Sequence, residues 1–433
     1  MTTKNPFREI CQSCCRLHRR SSAFIGGLSL LLVWTLAGAV CVAGTEIAAG
    51  EMLGPGYNQR AFYIRDGAGG LWTQTYASSR FRPEAVGRLM NLRIAQALFH
   101  DEWLTEFPFD PEANTERLIQ ALDTYLDHGV LAISVSLQGG NTGYNREFPD
   151  IRRENAAKLG PGKGLLVSAF RPDGSLKPEW MARLLRLIRE LDRRGMVLDL
   201  MYFYQGQDEV LESPAAIDQA VRNATDWLID NDCRNVIIEI ANEHNHSGFD
   251  HDRYIHREMG KLIELARSRF LEKKAAFRLP VSASTGGSME VFDGVRDHAD
   301  LVIIHGNNRT PGEKGARVRA LHDDPRMPGP IWMNEDDNGR ETTRANLAKE
   351  LESCARVFDA GGSWGYMPWR QVQMFPFRHY LPSRSLEVRD EAPVEERDAA
   401  YFHAVLDHIR GRVMTAGALG WPCALQRDSP ARQ

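Results

Sequence analysis

Beyond about residue 110 the chain alternates between two hydrophobic patterns. Segments with apolar residues at three- and four-residue spacing, typical of amphipathic helices, alternate with short runs of consecutive apolar, often β-branched residues. These runs are apolar at nearly every position, as expected for strands of a parallel sheet that is covered on both faces. The pattern therefore predicts repeated strand–helix units.

The predicted strands number eight. Seven of them lie at 130–137, 196–203, 236–241, 280–284, 301–305, 331–334 and 364–367, and the segment 88–99 is the best candidate for a strand that precedes them. Predicted helices lie at 110–129, 177–195, 213–232, about 252–273, 342–362 and 395–413. Proline near the start and glycine after the end of several of these segments are typical helix boundaries.

Strand–helix alternation is compatible with an open doubly wound sheet or with a closed barrel. The units continue without a break, and no glycine-rich phosphate-binding loop follows the first strand, which favours the barrel. We therefore predict an α/β fold of the (β/α)8 TIM-barrel class over residues 88–415. Residues 45–87 are expected to form an irregular N-terminal cover, and residues 416–433 a C-terminal tail.

Residues 1–44 differ from the rest of the chain. Basic residues precede the uncharged run Ala23–Val42, and the small residues Ala43 and Gly44 follow it. This order is typical of a cleaved export signal. The run is also long enough to span a bilayer as an uncleaved anchor, since a spanning helix needs about 20 apolar residues. Either interpretation places the bulk of the chain outside the cytoplasm, in the periplasm or the extracellular space, and the second attaches it to the membrane through residues 23–42.

The amino-acid composition argues against some classes of function. The chain of 433 residues has 53 basic and 57 acidic residues, without the concentrated positive charge that nucleic-acid binding requires. Outside residues 1–44 only Cys233, Cys354 and Cys423 remain, and they form neither a disulfide framework nor a zinc-site spacing. No feature of the sequence implies a cofactor, and none indicates the oligomeric state.

Polar and aromatic side chains follow every predicted strand. The carboxyl ends of barrel strands share one face, where active sites of this fold lie, so these side chains are candidates for a common site. They include Gln138, Tyr204, Gln207, Asp208, Asn242, Glu243, His305, Asn307, Glu335, Asp336, Trp364 and Trp369. For Gln138, Gln207 and Asp208, substrate contact and bracing of loops are both open; for the tryptophans, platform and packing roles are both open.

Two predicted strands end in the same dipeptide. The run "VIIEIANEHNH" contains Asn242-Glu243, and the run "PIWMNEDDNG" contains Asn334-Glu335. The fourth and seventh strands of such a barrel face each other, so these two carboxylates can flank one substrate atom. Cleavage of a glycosidic bond with retention requires two carboxyl groups about 5–5.5 Å apart, and Asn242 is a candidate to hydrogen-bond the 2-hydroxyl of the sugar. Either glutamate alone is also explained by a salt bridge or a turn.

These motifs resemble those of the clan-A retaining glycoside hydrolases, the superfamily that includes cellulases and mannanases. The resemblance covers about residues 88–411 as topology, and it implies a carbohydrate substrate, Glu243 as acid/base, Glu335 as nucleophile, and Trp369 or Trp364 as a platform under the sugar. Many clan members place a tyrosine near the nucleophile, whereas this chain has His305 there. We expect His305 to contact the sugar or Glu335. We expect partial burial and the nearby carboxylate to keep Glu243 protonated near neutral pH.

Two other function classes stay open. A non-catalytic carbohydrate-binding barrel would keep the cleft and its aromatic residues without turnover. A metal-dependent hydrolase or isomerase would draw on the histidine-rich stretch that contains His244, His246, His251 and His256. The five-residue separation of His251 and His256 does not match the i, i+4 spacing of a helical zinc pair, so no metal is expected.

Overall fold

The computed structural model describes residues 44–67, 69–100, 109–139, 167–336, 341–368, 377 and 387–416. The predicted leader up to residue 43, the platform candidate Trp369 and all but the first residue of the predicted tail lie outside these ranges. Of the helices in the described part of the chain, none combines the length and apolar character that a membrane crossing requires.

Short strands alternate with helices along the chain. The strands are β1 (Thr45–Ala49), β2 (Phe62–Asp66), β3 (Thr73–Gln74), β4 (Asn91–Arg93), β5 (Ala132–Ser136), β6 (Gln138–Gly139), β7 (Val167–Ser168), β8 (Val197–Phe203), β9 (Val236–Ala241), β10 (Val281–Ser282), β11 (Ser284–Thr285), β12 (Val302–His305), β13 (Ile331–Asp336) and β14 (Ser363–Tyr366). The helices are α1 (Pro111–Asp127), α2 (Pro178–Asp192), α3 (Pro214–Asp230), α4 (Tyr254–Arg257), α5 (Met259–Glu272), α6 (Asp293–Arg296), α7 (Pro311–Asp323), α8 (Arg344–Asp359) and α9 (Val394–Val413). Short 3-10 helices lie at Gly50–Leu53, Pro83–Ala85, Ala95–Leu98, Asp208–Val210 and His251–Arg253.

The parallel strands close into a barrel. Nine of them pair in the order β10-β9-β8-β5-β4-β14-β13-β12-β11. β10 and β11 are two pieces of one strand, separated only by Ala283, and β10 pairs with β9 while β11 pairs with β12. The two ends of the sheet are therefore adjacent in the chain, and the sheet forms a closed ring of eight strand positions. This confirms the predicted (β/α)8 fold.

The sequence explains where most helices begin. Proline occupies the first turn of α1, α3 and α7, where its missing N–H costs no hydrogen bond. The residue before each of them is Asp110, Ser213 or Thr310, whose side chain accepts a hydrogen bond from a backbone N–H of the first turn. These caps fix the helix starts within a residue or two of the predicted ones for α1 and α3.

The prediction of one long helix at about 252–273 was wrong. His251, Asp252 and Arg253 have φ angles of 49°, 56° and 56°, in the left-handed region, so the helix begins only at Tyr254. It is divided at Glu258, whose φ of −101° and ψ of 17° are not helical. The chain then forms two separate helices, α4 and α5. The helix α7 was not predicted, because it turns the charged side chain of Lys314 inward and lacks a continuous apolar stripe.

The segment before the barrel is ordered, not irregular as expected. β1, β2 and β3 form a small antiparallel sheet. It lies against the amino-terminal ends of the barrel strands: the Ile47 N–H donates to the Arg234 carbonyl at 3.1 Å, and the Arg60 guanidinium donates to the Gly329 carbonyl at 2.8 Å. The Phe62 ring packs edge-on against Trp332, with centroids 5.8 Å apart. This sheet covers the end of the barrel opposite the predicted site.

A fully buried ion pair joins the barrel to its helical layer. The Lys314 ammonium lies 2.6 Å from a carboxylate oxygen of Asp336, and neither side chain is exposed. The Trp364 indole N–H donates to the other oxygen of Asp336 at 2.8 Å. Asp336 and Trp364 were expected to bind substrate; in the structure both side chains are fully buried and contact this layer.

Removing the charge of Lys314 should destabilise the fold strongly. In Lys314→Met the Asp336 carboxylate stays buried without its cation, and we expect the free energy of unfolding to fall by about 3–5 kcal/mol. The control Lys261→Met breaks the surface pair with Asp218, where the lysine side chain is 50% exposed, and should cost no more than about 1 kcal/mol. Guanidinium unfolding of both variants measures the difference, and equal losses would contradict this role for Lys314.

Candidate active site

Irregular backbone at three strand ends brings the candidate residues together. Glu243 follows β9 with a left-handed φ of 49°, and its N–H donates to the Ser284 hydroxyl at 2.8 Å. The register between β12 and β13 shifts at His305, and that between β13 and β14 shifts between Met333 and Asp336. Such irregularities re-aim side chains at the ends of strands. Here they bring Glu243, His305 and Glu335 to the same end of the barrel.

The two glutamates meet across the barrel. One carboxylate oxygen of Glu243, one of Glu335 and a ring nitrogen of His305 all lie within 4.8 Å of one another. His305 stands between them, with its Nδ1 3.1 Å from Glu243 Oε1 and 3.6 Å from Glu335 Oε2. The His305 side chain is fully buried, whereas that of Glu243 is 14% exposed. A small ligand group therefore reaches Glu243 from solvent more easily than it reaches His305.

Glu335 is held by a donor at each of its oxygens. The Arg93 guanidinium forms a salt bridge with Oε2, and the Asn307 amide donates to Oε1 at 2.5 Å. Arg93 comes from β4, which only β14 separates from β13 in the sheet, and its side chain is fully buried. Charge-assisted bonds of this kind orient a carboxylate and keep it in place. Asn307, expected to bind substrate, contacts Glu335 instead.

Asn242 links the surroundings of the two glutamates. Its amide oxygen accepts from Arg93 at 2.5 Å, and its amide nitrogen donates to Gln205 at 2.7 Å. Gln205 in turn donates to Glu243 Oε2 at 3.2 Å. Asn242 thus lies at the predicted site, between the partner of Glu335 and the partner of Glu243. Tyr204 also lies there, with the Arg93 guanidinium 5.9 Å from the centre of its ring.

The charges at this site correct one expectation about protonation. Burial raises the pKa of the Glu243 carboxyl, but the hydrogen bond and the charge of His305 outweigh it, and the pKa lies below its ordinary value. Burial lowers the pKa of His305, but Glu335 and Glu243 outweigh it, and that pKa lies above its ordinary value. Glu243 is therefore not held protonated by itself. Both shifts favour a proton on His305 over one on Glu243.

Three further candidates brace loops. Gln138 donates to the Gln207 carbonyl at 3.0 Å and accepts from the Tyr204 N–H at 2.9 Å. Gln207 accepts from the Val167 N–H at 2.7 Å, and Asp208 accepts from the Asp250 N–H at 2.9 Å. The side chains of Gln138, Gln207 and Asp208 are completely buried, and of the two roles left open for them these contacts support the bracing of loops.

A second pair of acidic side chains lies deeper in the barrel. The Asn334 amide donates to Asp199 and to Glu239 at 2.8 Å each, and all three residues are fully buried. Burial and the charge of Asp199 raise the pKa of Glu239 to about 8, and burial raises the pKa of Asp199. Glu239 therefore retains its proton at a pH where exposed carboxyls are ionised.

The histidine-rich stretch after β9 is mainly structural. His244 and His256 place their Nδ1 atoms 3.2 Å apart with stacked rings, and burial together with His256 lowers the pKa of His244 to about 3. Within the described ranges this stretch contributes no member to a group of three converging metal-ligand atoms. The donor atoms of Glu243, His305 and Glu335 would fit a cation. However, the Arg93 guanidinium already forms a salt bridge with Glu335.

Sequence reasoning missed Arg93, Asp199 and Glu239, and it noted Gln205 only as one of the polar residues that follow a strand. A signal was present for three of them: "NLRIAQ", "VLDLMYF" and "VIIEIAN" each place a charge within a run predicted as a strand. A charge that interrupts an apolar strand must be paired in the core. The position alone therefore indicated that Arg93 faces an acidic partner, although not which one.

No protein-family model matches the sequence, and no curated protein matches it. The structure is similar to solved glycoside hydrolases at low identity. An exo-β-1,4-mannosidase from an Opitutaceae bacterium is 13% identical, with 82% of this chain and 67% of that chain covered and a TM-score of 0.46. An endo-β-1,4-glucanase of glycoside hydrolase family 5 from Bacillus licheniformis is 13% identical, with 75% and 60% covered and a TM-score of 0.45. A family 5 enzyme from Prevotella bryantii is 8% identical, with 75% and 95% covered and a TM-score of 0.48.

The chain spans about three fifths to two thirds of the length of the first two neighbours. At these identities the similarity is one of fold.

Protonation of Glu239 should appear in the pH dependence of stability. Its pKa is about 8 in the fold against an ordinary 4.5, so its contribution is complete below about pH 4.5 and is lost as the pH rises through 8. We expect the free energy of unfolding to fall over this range, with a slope of up to about 1.4 kcal/mol per pH unit from this group. Glu239→Gln should flatten the slope and the exposed control Glu264→Gln should not, as measured by guanidinium unfolding at pH 5, 6.5 and 8. A slope that Glu239→Gln leaves unchanged would contradict the assignment.

Proposed function

We propose that this chain is a retaining glycoside hydrolase with Glu335 as nucleophile and Glu243 as acid/base. The observation that carries the proposal is the approach of the two carboxylates, whose nearest oxygens lie within 4.8 Å of each other. Retaining enzymes place their carboxyl groups about 5–5.5 Å apart, whereas inverting enzymes leave about 6.5–9.5 Å for a water molecule. The spacing supports double displacement on a poly- or oligosaccharide.

The surroundings of each glutamate support the division of roles. Glu335 accepts from Arg93 and Asn307, which fix it as an oriented anion suited to attack. Glu243 is the more exposed of the two side chains and shares a proton with His305, which suits a group that must give and take protons. The reverse assignment would require the carboxylate in contact with a buried guanidinium to act as the proton donor.

The reaction follows from these positions. In the first step Glu335 attacks the anomeric carbon, the bond to the leaving oxygen breaks, and the proton shared by Glu243 and His305 passes to that oxygen. Esterification removes the negative charge of Glu335, which is one of the causes that raise the pKa of His305. The shared proton is therefore released more easily as the ester forms. In the second step water attacks the same carbon, its proton returns to the pair, and Glu335 leaves as the carboxylate.

A metal-dependent hydrolase is the second candidate, because Glu243, His305 and Glu335 present converging donor atoms. The buried charge of Arg93 on Glu335 opposes it, since a divalent ion would sit beside a guanidinium in a site of low dielectric. Turnover that survives extensive dialysis against a chelator would eliminate this alternative.

The order of basic and then apolar residues in 1–42 supports the further proposal that the enzyme acts outside the cytoplasm.

The catalytic pair is tested by substitution of each glutamate. Glu335→Ala should abolish turnover, and azide should restore part of it by replacing the missing nucleophile. Glu243→Gln should lower kcat/KM by about 10²–10⁴ for natural glycans, and much less for aryl glycosides whose leaving group needs no proton. Product anomers followed by NMR should show retention.

A matched control for both variants is Glu264→Gln, which changes a half-exposed surface glutamate. Full activity in both Glu335→Ala and Glu243→Gln would refute the proposed function. A wild-type chain that binds glycans without any turnover would favour the non-catalytic barrel instead.

The pH profile tests the role of His305. In the wild-type chain the alkaline limb of kcat/KM should follow loss of the shared proton, above the ordinary pKa of 6.5 for histidine. In His305→Asn the proton must reside on Glu243 alone, so the alkaline limb should move to lower pH. The exposed His298→Asn is the control. An alkaline limb that stays in place in His305→Asn would show that Glu243 does not share its proton with His305.

A further inference from the structure

A second group of metal-ligand atoms lies at the opposite end of the barrel. His128, directly after α1, and His403 and Asp407 on α9 each direct one donor atom to a common point, and these atoms lie within 4.8 Å of one another. His128 Nε2 is 3.5 Å from Asp407 Oδ1, and His403 Nε2 is 3.2 Å from Asp407 Oδ2. We propose that these three residues bind a divalent transition-metal ion, Zn²⁺ by preference, in a structural site.

The separations match the geometry of tetrahedral coordination. Zinc binds histidine nitrogen and carboxylate oxygen at about 2.0–2.2 Å, which places neighbouring ligand atoms about 3.3–3.5 Å apart. Each histidine lies near this spacing from the Asp407 carboxylate: His128 Nε2 is 3.5 Å from Oδ1, and His403 Nε2 is 3.2 Å from Oδ2. Small side-chain rotations bring the third pair to the same distance. His403 and Asp407 are four residues apart on one helix, so both face the same side of it.

The hydrogen bonds of His128 prepare it as a ligand. Its Nδ1 lies 2.7 Å from the Thr124 carbonyl oxygen, which can only accept, so Nδ1 carries a hydrogen. In the neutral ring Nε2 then presents its lone pair towards the carboxylate of Asp407. A proton or a metal ion between the two lone pairs makes this contact favourable, and burial, which lowers the pKa of His128, disfavours the proton. Histidine ligands of metals characteristically donate their other N–H to a carbonyl or carboxylate, as His128 does.

Solvent access and charge are compatible with an exchangeable ion. The Asp407 side chain is 53% exposed, and it lines a surface groove together with Arg82, Arg410 and Gly411. A water molecule from this groove supplies the fourth ligand. Arg410 weakens cation binding by its charge, whereas Asp127 beside His128 strengthens it. An ion here joins the end of the first barrel helix to the last helix, far along the chain.

The experiment compares zinc binding by the full chain and its variants after removal of metal. Isothermal titration with ZnCl₂ should show one bound ion fewer per chain in His403→Asn and in Asp407→Asn than in the wild type. The matched control His408→Asn, a neighbouring half-buried histidine on α9, should keep it. Because cysteines elsewhere in the chain also bind Zn²⁺, the difference between variants is the readout. His305→Asn should keep the ion as well, which separates this site from the catalytic glutamates.

Thermal unfolding supplies an independent measurement. A Zn²⁺ concentration about a hundredfold above Kd should raise the Tm of the wild type and of His408→Asn by roughly 3 °C, and it should leave His403→Asn and Asp407→Asn unchanged. Equal zinc stoichiometry and equal Tm shifts in all four proteins would overturn the site. Loss of the ion in His305→Asn, with retention in His403→Asn, would place it at the catalytic glutamates and equally overturn the proposal.

Discussion

The candidate site depends on a guanidinium that has no access to water. Arg93 is fully buried, and burial of an isolated charge costs several kcal/mol unless partners surround it. Those partners are Glu335 and Asn242, together with the sulfur of Met201 at 2.8 Å. Because they come from β13, β9 and β8, one side chain fixes the relative positions of strands across the whole barrel. The orientation of Glu335 is a consequence of satisfying this charge.

The balance of charges also explains the raised pKa values of Asp199 and Glu239, which lie deeper in the barrel. Arg93 and a protonated His305 match the negative charges of Glu335 and Glu243, so no cation is left for Asp199 and Glu239. Burial raises the pKa of both, and the charge of Asp199 helps to raise that of Glu239 to about 8, so Glu239 keeps its proton. The barrel interior thus holds charged groups near its open end and a protonated Glu239 beneath them. A dry site of this kind strengthens each electrostatic contact with a reacting group.

Much of the architecture was predictable because it follows from periodicity. Apolar runs gave all eight strand positions, and proline with a capping side chain gave the starts of α1 and α3. The errors arose where tertiary contacts override local pattern: α7 turns Lys314 inward, and three left-handed residues break the helix predicted after β9. The same limit applies to the site. The sequence shows that Glu243 and Glu335 lie at strand ends. It does not show that Glu335 faces into the barrel while Asp336 faces outward, because those directions depend on a register shift in β13.

Because one barrel strand is divided at Ala283, Glu243 and Glu335 are attached to β-ladders of different length. β10 and β11 contribute only two paired residues each, the shortest ladders on that side of the ring, whereas β13 is paired on both sides along its length. Glu243 is tied to this seam through the Ser284 hydroxyl and lies against Gly286, where an added methyl group would come within 3.2 Å of the carboxylate. Short ladders open at lower free energy than long ones. Glu243 is therefore attached to the part of the barrel wall with two-residue ladders, and Glu335 to a strand that pairs at more positions.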